Sequence, residues 1–417
     1  LPPDPASRLP EYRAMKQNSQ QNVAAVRAFS AAFAGGVGRD ALFQALLDNR
    51  SALGELTLFE VPFRSPVGEL REPLPQIRPE LKLYDSRNAR LALAVLDFAD
   101  DGLRDAIRRA VDRYGSSRIG VVIGTSTSGI FETESAYEIL LREHAMPDDF
   151  HFLTRHAYQA TPRFLQLELE LEGPCYTVST ACSSGAKAVA AGQRLIRNGI
   201  CDAVLAGGVD TLCRLTLRGF HSLELLSSTR CQPMDQNRRG INIGEAAALL
   251  LLEKSNGGQD AELEILSVGE SSDAYHMSSP HPDGLGAIRA MRHALELAGL
   301  EPEAIDYLNL HATATEINDR IEARAVSQVC GDSLPVSATK GITGHTLGAA
   351  GALECVICLI ALEQGLVPGT CGLENPDPEH RLNVVRHPFA NPGLRTVMSN
   401  SFGFGGNNAS LIVALNR

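Results

Sequence analysis

Tryptophan is absent from this 417-residue chain, and aromatic residues make up only 5% of it. So sparse a supply argues against the stacking platforms on which proteins hold bases or sugars. Positive charge is short as well: 38 Lys and Arg against 49 Asp and Glu leave a net charge of −11, which argues against nucleic acid as a partner. No apolar run of about 18 residues reads as a membrane span. The first residues lack the basic-then-apolar order of a signal peptide, so the cytoplasm is the expected compartment. The nine cysteines follow no framework spacing. Cys355 and Cys358 form a lone CxxC inside an apolar helical run and read as core, so reduced thiols and no bound metal are expected. The hydroxyl-rich loop Thr125-Ser-Thr-Ser-Gly129 has neither the lysine of a P-loop nor GxGxxG spacing, which excludes it as a nucleotide cradle.

What is present is 44% apolar content, arranged as strands alternating with helices. A loose extension rich in Pro and Gln is expected over 1–22, followed by two units, 23–258 and 259–417. In the first unit strands are expected at 24–29, 119–124, 203–207 and 246–252, with helical patterns at 39–49 and 87–114. A charged, Gly-rich break at 255–259 reads as the hinge between the units. The second unit repeats the order of the first. Residues 334–340 and their Gly/Ala helix echo the strand and helix around residue 182, and the final segment echoes the strands at 203 and 246. This spacing predicts two α/β halves, each a mostly parallel sheet, stacked on a shared helical layer.

The most informative position is Cys182, in Tyr176-Thr-Val-Ser-Thr-Ala-Cys-Ser-Ser-Gly185, where an apolar strand runs into a small-residue helix. A thiol at a helix N-terminus feels the positive end of the dipole and can borrow unpaired N–H groups. On this segment alone Cys182 fits either a low-pKa thiolate nucleophile or a small buried hydrophobe, and residues further along the chain favour the nucleophile. Further along, an apolar strand ends in His311-Ala-Thr-Ala-Thr315, and Lys340-Gly-Ile-Thr-Gly-His345 lies on a Gly-rich strand-to-helix turn. Ligand-facing groups of α/β folds gather at the carboxyl ends of strands, and all three segments end there.

Together with Asn400-Ser-Phe-Gly-Phe-Gly-Gly406, these segments resemble the β-ketoacyl-acyl-carrier-protein synthases, from about residue 24 to the C-terminus. The resemblance implies a thiolase-like duplicated α/β fold, with two mixed β-sheets in a five-layer α-β-α-β-α sandwich. It implies that Cys182 takes an acyl group from a carrier-protein thioester, and that a malonyl thioester then loses carbon dioxide and condenses with it. His311 and His345 would each donate an N–H to the enolate, and the N–H groups of Cys182 and Phe404 would form the oxyanion hole. Lys340 and Glu354 would pair in support, and Phe402 and Phe404 would gate. Thr313 and Thr315 would hold the phosphopantetheine arm, and Thr127 would tune the depth of the acyl pocket. Arg87, Arg90 and Arg230 fall near the family's carrier-docking positions. No bound cofactor is implied. The implied partners are acyl carrier protein and a second subunit, forming either a homodimer or a heterodimer with a ketosynthase-like chain.

Three departures stand out. The family's His-Gly-Thr-Gly-Thr reads His311-Ala-Thr-Ala-Thr here, its Gly-Gly-Thr-Asn reads Gly405-Gly-Asn-Asn408, and Gly-Glu-Gly-Ala-Gly reads Gly244-Glu-Ala-Ala-Ala248. Segments such as Gly219-Phe-His-Ser-Leu-Glu-Leu-Leu-Ser227 and Ser272-Asp-Ala-Tyr-His276 resemble the aryl-polyene subgroup, with general fatty-acid elongation as the alternative. A hydroxyl-lined, methyl-narrowed pocket at 125–128, 312 and 314 is expected to suit a rigid conjugated chain. Thiolase-type cleavage is the rival enzymatic reading, but no second cysteine occupies the final Gly-rich loop. A non-catalytic chain-length partner would typically have lost the nucleophile, which is intact here.

Overall fold

The computed structural model describes residues 23–99, 101–255 and 263–416. The expected extension over 1–22, and the break beyond Ser255, lie outside the described residues. In the first half, β1 (Ala24–Phe33), β2 (Ile119–Gly124), β3 (Cys175–Val178), β4 (Ala203–Asp210) and β5 (Ala246–Lys254) lie side by side as β3-β2-β4-β5-β1. In the second, β6 (Leu263–Ser272), β7 (Tyr307–Asn309), β8 (Pro335–Ser337), β9 (Asn383–Val384), β10 (Thr396–Gly403) and β11 (Asn407–Leu415) lie as β9-β8-β7-β10-β11-β6.

Leaving out the edge strand β9, the two orders are the same. In each half a central strand has parallel neighbours on both sides, β3 and β4 around β2, β8 and β10 around β7. The chain then returns antiparallel twice, through β5 to β1 and through β11 to β6. Each half is therefore mixed rather than mostly parallel. The halves touch edge to edge at two register pairs, Ala24 with Ile265 and Ala25 with Glu264, so the strands run as one continuous path.

The principal helices are α1 (Arg39–Asp48), α2 (Arg87–Asp97), α3 (Leu103–Tyr114), α4 (Ile130–Glu143), α5 (Ser184–Arg197), α6 (Leu285–Ala298), α7 (Glu316–Cys330) and α8 (Ala350–Gln364). The single helix expected over 87–114 is two, because α2 ends at Phe98 and Gly102 opens α3 in the left-handed region at φ 70°. One outer layer packs Leu91, Val95 and Ile107 of α2 and α3 on β2, β4 and β5. The opposite one packs Met291 and Val326 of α6 and α7 on β7, β8, β10 and β11.

Between the sheets, α5 and α8 form the shared layer, and their Ala, Val and Ile residues join strands of both halves in one core. Residues 347–364 are long and apolar enough to cross a membrane, but 89% of that stretch is buried inside the protein. It is the central core helix, and Cys355 and Cys358 are fully buried in it. The two central helices cross closely because Gly185 and Gly351 meet the partner helix: a Cβ on Gly351 would come within 2.8 Å of Ala186 N. That crossing sets the turn before α5, which carries Cys182, beside the segment leading into α8, which carries His345.

Candidate active site

Cys182 follows β3 at a tight turn whose preceding residue, Ala181, takes φ 53°. A left-handed alanine costs roughly 1–2 kcal/mol, and the neighbouring hydroxyls hold it there. Ser183 Oγ donates to Thr180 O, Ser184 Oγ donates to Ala181 O, and Thr180 N–H donates to Ser184 Oγ. The run of Ser and Thr around the cysteine thus builds the turn that presents the sulfur. Gly403 lies against this turn, where a Cβ would stand 3.2 Å from Cys182 N. The main-chain N–H groups of Phe404 and Cys182 both favour charge on the sulfur.

His345 Nε2 lies 3.0 Å from Cys182 Sγ. The His311 ring stands edge-on to that of His345, with centroids 5.4 Å apart. Lys340 Nζ lies 3.4 Å from His311 Nδ1, so Nδ1 accepts, the ring proton sits on Nε2, and that N–H is left for the cavity. Lys340 in turn is ion-paired with Glu354, and both are buried. Burial, and then the charge on Lys340, hold both histidines well below the usual imidazole range. At neutral pH they are neutral N–H donors. Burial pushes Glu354 up to about 7 against the pull of Lys340.

The expectation of a resident thiolate is corrected. Burial of Cys182 pushes its thiol up to about 11, and the N–H of Phe404, the charge on Lys340 and its own N–H offset this only in part. A helix N-terminus lowers a thiol when water also reaches it, whereas here the sulfur is enclosed. The resting group is the thiol.

Carboxylates absent from the sequence reading lock the loop that carries His311. Glu322 on α7 accepts from the N–H groups of His311 and Ala312, and Asp319 accepts from that of Ala314. They secure two alanines in the left-handed region, Ala312 at φ 21° and Ala314 at φ 66°. Asp-x-x-Glu spanning the first two turns of a helix, directly after a His-Ala-Thr-Ala-Thr loop, is the signal that could have found them. Asp210 at the end of β4 does the same for loop 125–128, accepting from Thr125, Ser126, Thr127 and Gly348.

These contacts take up the hydroxyls expected to line a pocket at that loop. The hydroxyls of Thr125 and Thr127 go to Asp210, and that of Ser128 goes to Ala157 O. Thr127 is fully buried and lies apart from the cavity at Cys182. Ala312 and Ala314 are fully buried as well, and turn their methyls into apolar clusters rather than the channel. The loop offers no free hydroxyls and the alanines do not narrow the channel.

The cavity itself measures about 540 Å³ and has Cys182, His311, His345, Thr313 and Thr315 on its walls. Thr313 and Thr315 share a hydrogen bond of 3.0 Å. Phe402 is buried with its ring 6.0 Å from that of His311, and Phe404 faces Phe220 at 5.6 Å. Cys182, His311 and His345 place their ligand atoms within 4.8 Å of one another, a spacing a zinc ion can use. The Lys340 ammonium would stand beside any such cation and oppose it.

The three arginines do not join this site. Arg87 is consumed by the buried Glu245 and by Leu70 O, so it is not a free cation for docking. Arg90 is paired with Asp85, and the exposed Arg230 donates to Leu53 O on a separate groove lined by residues 53–66.

Lys340 offers a direct test of these electrostatics. Removing a neighbouring cation raises an imidazole pKa, so in Lys340→Met the acid limb of malonyl-thioester decarboxylation should move to higher pH than in the wild type. A limb that stays in place would show that burial alone tunes the histidines.

Known proteins match this chain over most of its length. Residues 21–257 match the family described as beta-ketoacyl synthase, N-terminal domain, and residues 263–374 match the C-terminal domain family. The chain is 33% identical over 390 residues to 3-oxoacyl-[acyl-carrier-protein] synthase 2 of Coxiella burnetii, covering 89% of this chain and 94% of that protein. A ketosynthase (ApeO) solved in complex with its chain length factor (ApeC) from Xenorhabdus doucetiae superposes with a TM-score of 0.86 at 39% identity, covering 94% of this chain and 98% of that one. The ishigamide ketosynthase/chain length factor gives a TM-score of 0.86 at 29% identity, covering 94% and 99%.

Proposed function

Since the chain belongs to the β-ketoacyl synthase family, an acyltransferase that condenses acyl and malonyl thioesters of acyl carrier protein, we propose that Cys182, His311 and His345 carry its reaction. The observation that carries the assignment is the meeting of Cys182 Sγ, His345 Nε2 at 3.0 Å and the N–H groups of Phe404 and Cys182 on one cavity wall.

In the first half-reaction the sulfur attacks the incoming thioester carbonyl. The two N–H groups hold the oxyanion, and the thiol proton ends on the departing carrier thiolate. In the second, a malonyl thioester enters and its carbonyl oxygen receives N–H donors from His311 and His345. Carbon dioxide leaves, and the enolate carbon attacks the acyl group on Cys182; the new carbon–carbon bond forms as the carbon–sulfur bond breaks, and the expelled Cys182 thiolate takes a proton from solvent to return to the thiol. Lys340, held by Glu354, keeps the His311 proton on Nε2. Thr313 and Thr315 guide the arm, and Phe402 and Phe404 line its entrance.

We place the enzyme with the makers of conjugated, aryl-polyene-like chains and pair it with a second chain of its own fold. The segments Gly219–Ser227 and Ser272–His276, which resemble the aryl-polyene subgroup, support the first part of this reading; the kinship to a ketosynthase solved with its chain length factor supports the pairing, as does the surface. Strand β3 is an edge with half-exposed residues, and Tyr137, Leu141, Phe152 and Leu153 nearby are exposed at 55–77%. Exposed edges with apolar neighbours invite pairing. The test is turnover, in the presence of such a partner, with conjugated and saturated acyl-carrier substrates of equal length. A higher kcat/KM for the conjugated chain is expected, because rigid chains lose less entropy on binding. A preference for the saturated chain would return the enzyme to ordinary fatty-acid elongation.

A further inference from the structure

The mouth of the Cys182 cavity is mostly acidic. Its charged lining comprises Glu224, Asp273, Glu316 and one cation, Arg239. An arm bearing a phosphate would meet repulsion there in a chain of net charge −11, unless that cation receives it.

The backbone around Arg239 is rigidly placed. Arg238 is buried, donates to Asp377 at 2.6 Å, and also donates to Thr315 O and Glu316 O. On the other side, Gly240 N–H donates to Ala314 O at 2.9 Å. Residues 238–240 are thus laced along the 314–316 segment, so Arg239 stands beside the threonines that face the cavity. Arg238 spends its charge inside on Asp377, while Arg239 is exposed. Among the described residues no hydrogen bond or ion pair engages the Arg239 side chain.

We infer that Arg239 binds the phosphate of the phosphopantetheine arm as it enters this cavity, a role that rests on the β-ketoacyl synthase reading. A guanidinium presents paired N–H donors that match two phosphate oxygens, and a charge-assisted pair of this kind is stronger than a neutral hydrogen bond. The contact would fix the arm by its phosphate while Thr313 and Thr315 hold its amides, and Asp273, already accepting from Asn408 and His281 N–H, would stay turned aside. Arg239 is a binding residue and takes no part in bond making.

The experiment compares two small substrates that differ only in the phosphate, an acyl-phosphopantetheine thioester and the matching acyl-pantetheine thioester, by the rate of Cys182 acylation. The wild type should prefer the phosphorylated form. Arg239→Ala should lose about ten- to a hundredfold of that preference, the range expected for one charge-assisted contact, chiefly through KM. Arg239→Lys should restore part of it, and Arg239→Glu should invert it. Equal losses on both substrates, or no loss on either, would overturn the inference. Failure of the wild type to be acylated by either thioester would instead overturn the proposed role of Cys182 on which it rests.

Discussion

His345→Ala and His311→Ala are each expected to slow malonyl-thioester decarboxylation by roughly 10²–10³-fold, the usual effect of losing one donor to a developing oxyanion. The histidines are neutral because they are buried beside Lys340, so each contributes a hydrogen bond rather than a charge. Loading of the acyl group on Cys182 should suffer less, since in the proposed mechanism its oxyanion rests on the N–H groups of Phe404 and Cys182 and not on the histidines. The two half-reactions can be measured apart, by release of carbon dioxide and by the mass of the acyl-enzyme. A His345→Ala protein that decarboxylates normally but cannot be loaded would reverse the two roles.

Cys182→Ala should abolish condensation altogether and leave decarboxylation, because the donors to the malonyl oxygen remain. The fold should hold, since the turn is built from Thr180, Ser183 and Ser184 and not from the sulfur. In the wild type, alkylation of Cys182 should still accelerate as pH rises above 9, as a thiol pushed up to about 11 requires. A rate already level at neutral pH would restore the resident thiolate.

The side chains proposed to do the chemistry were legible because each sits on its own short motif. Cys182 lies among hydroxyls before a small-residue helix, His311 ends an apolar strand, and Lys340 and His345 share one turn. The repeat of strand order was legible too, since 334–340 and 397–414 echo 176–182 and the strands at 203 and 246. What escaped were properties created by burial and by distant partners. The thiol pKa turns on how completely the sulfur is enclosed. The fate of Arg87 turns on Glu245, 158 positions away in the chain. Asp210 reaches Thr125 across 85 positions and takes the hydroxyls that seemed free for substrate. Ala312 and Ala314 look like channel narrowing in the sequence, but their methyls are directed by the backbone angles that Glu322 and Asp319 impose.

The most direct test is peptide mapping by mass spectrometry after incubation with an acyl-carrier thioester. One acyl adduct, confined to the peptide that holds Cys182 and discharged when malonyl-carrier protein is added, is the predicted result. An adduct on another of the nine cysteines, or none on Cys182 while condensation proceeds, would contradict it.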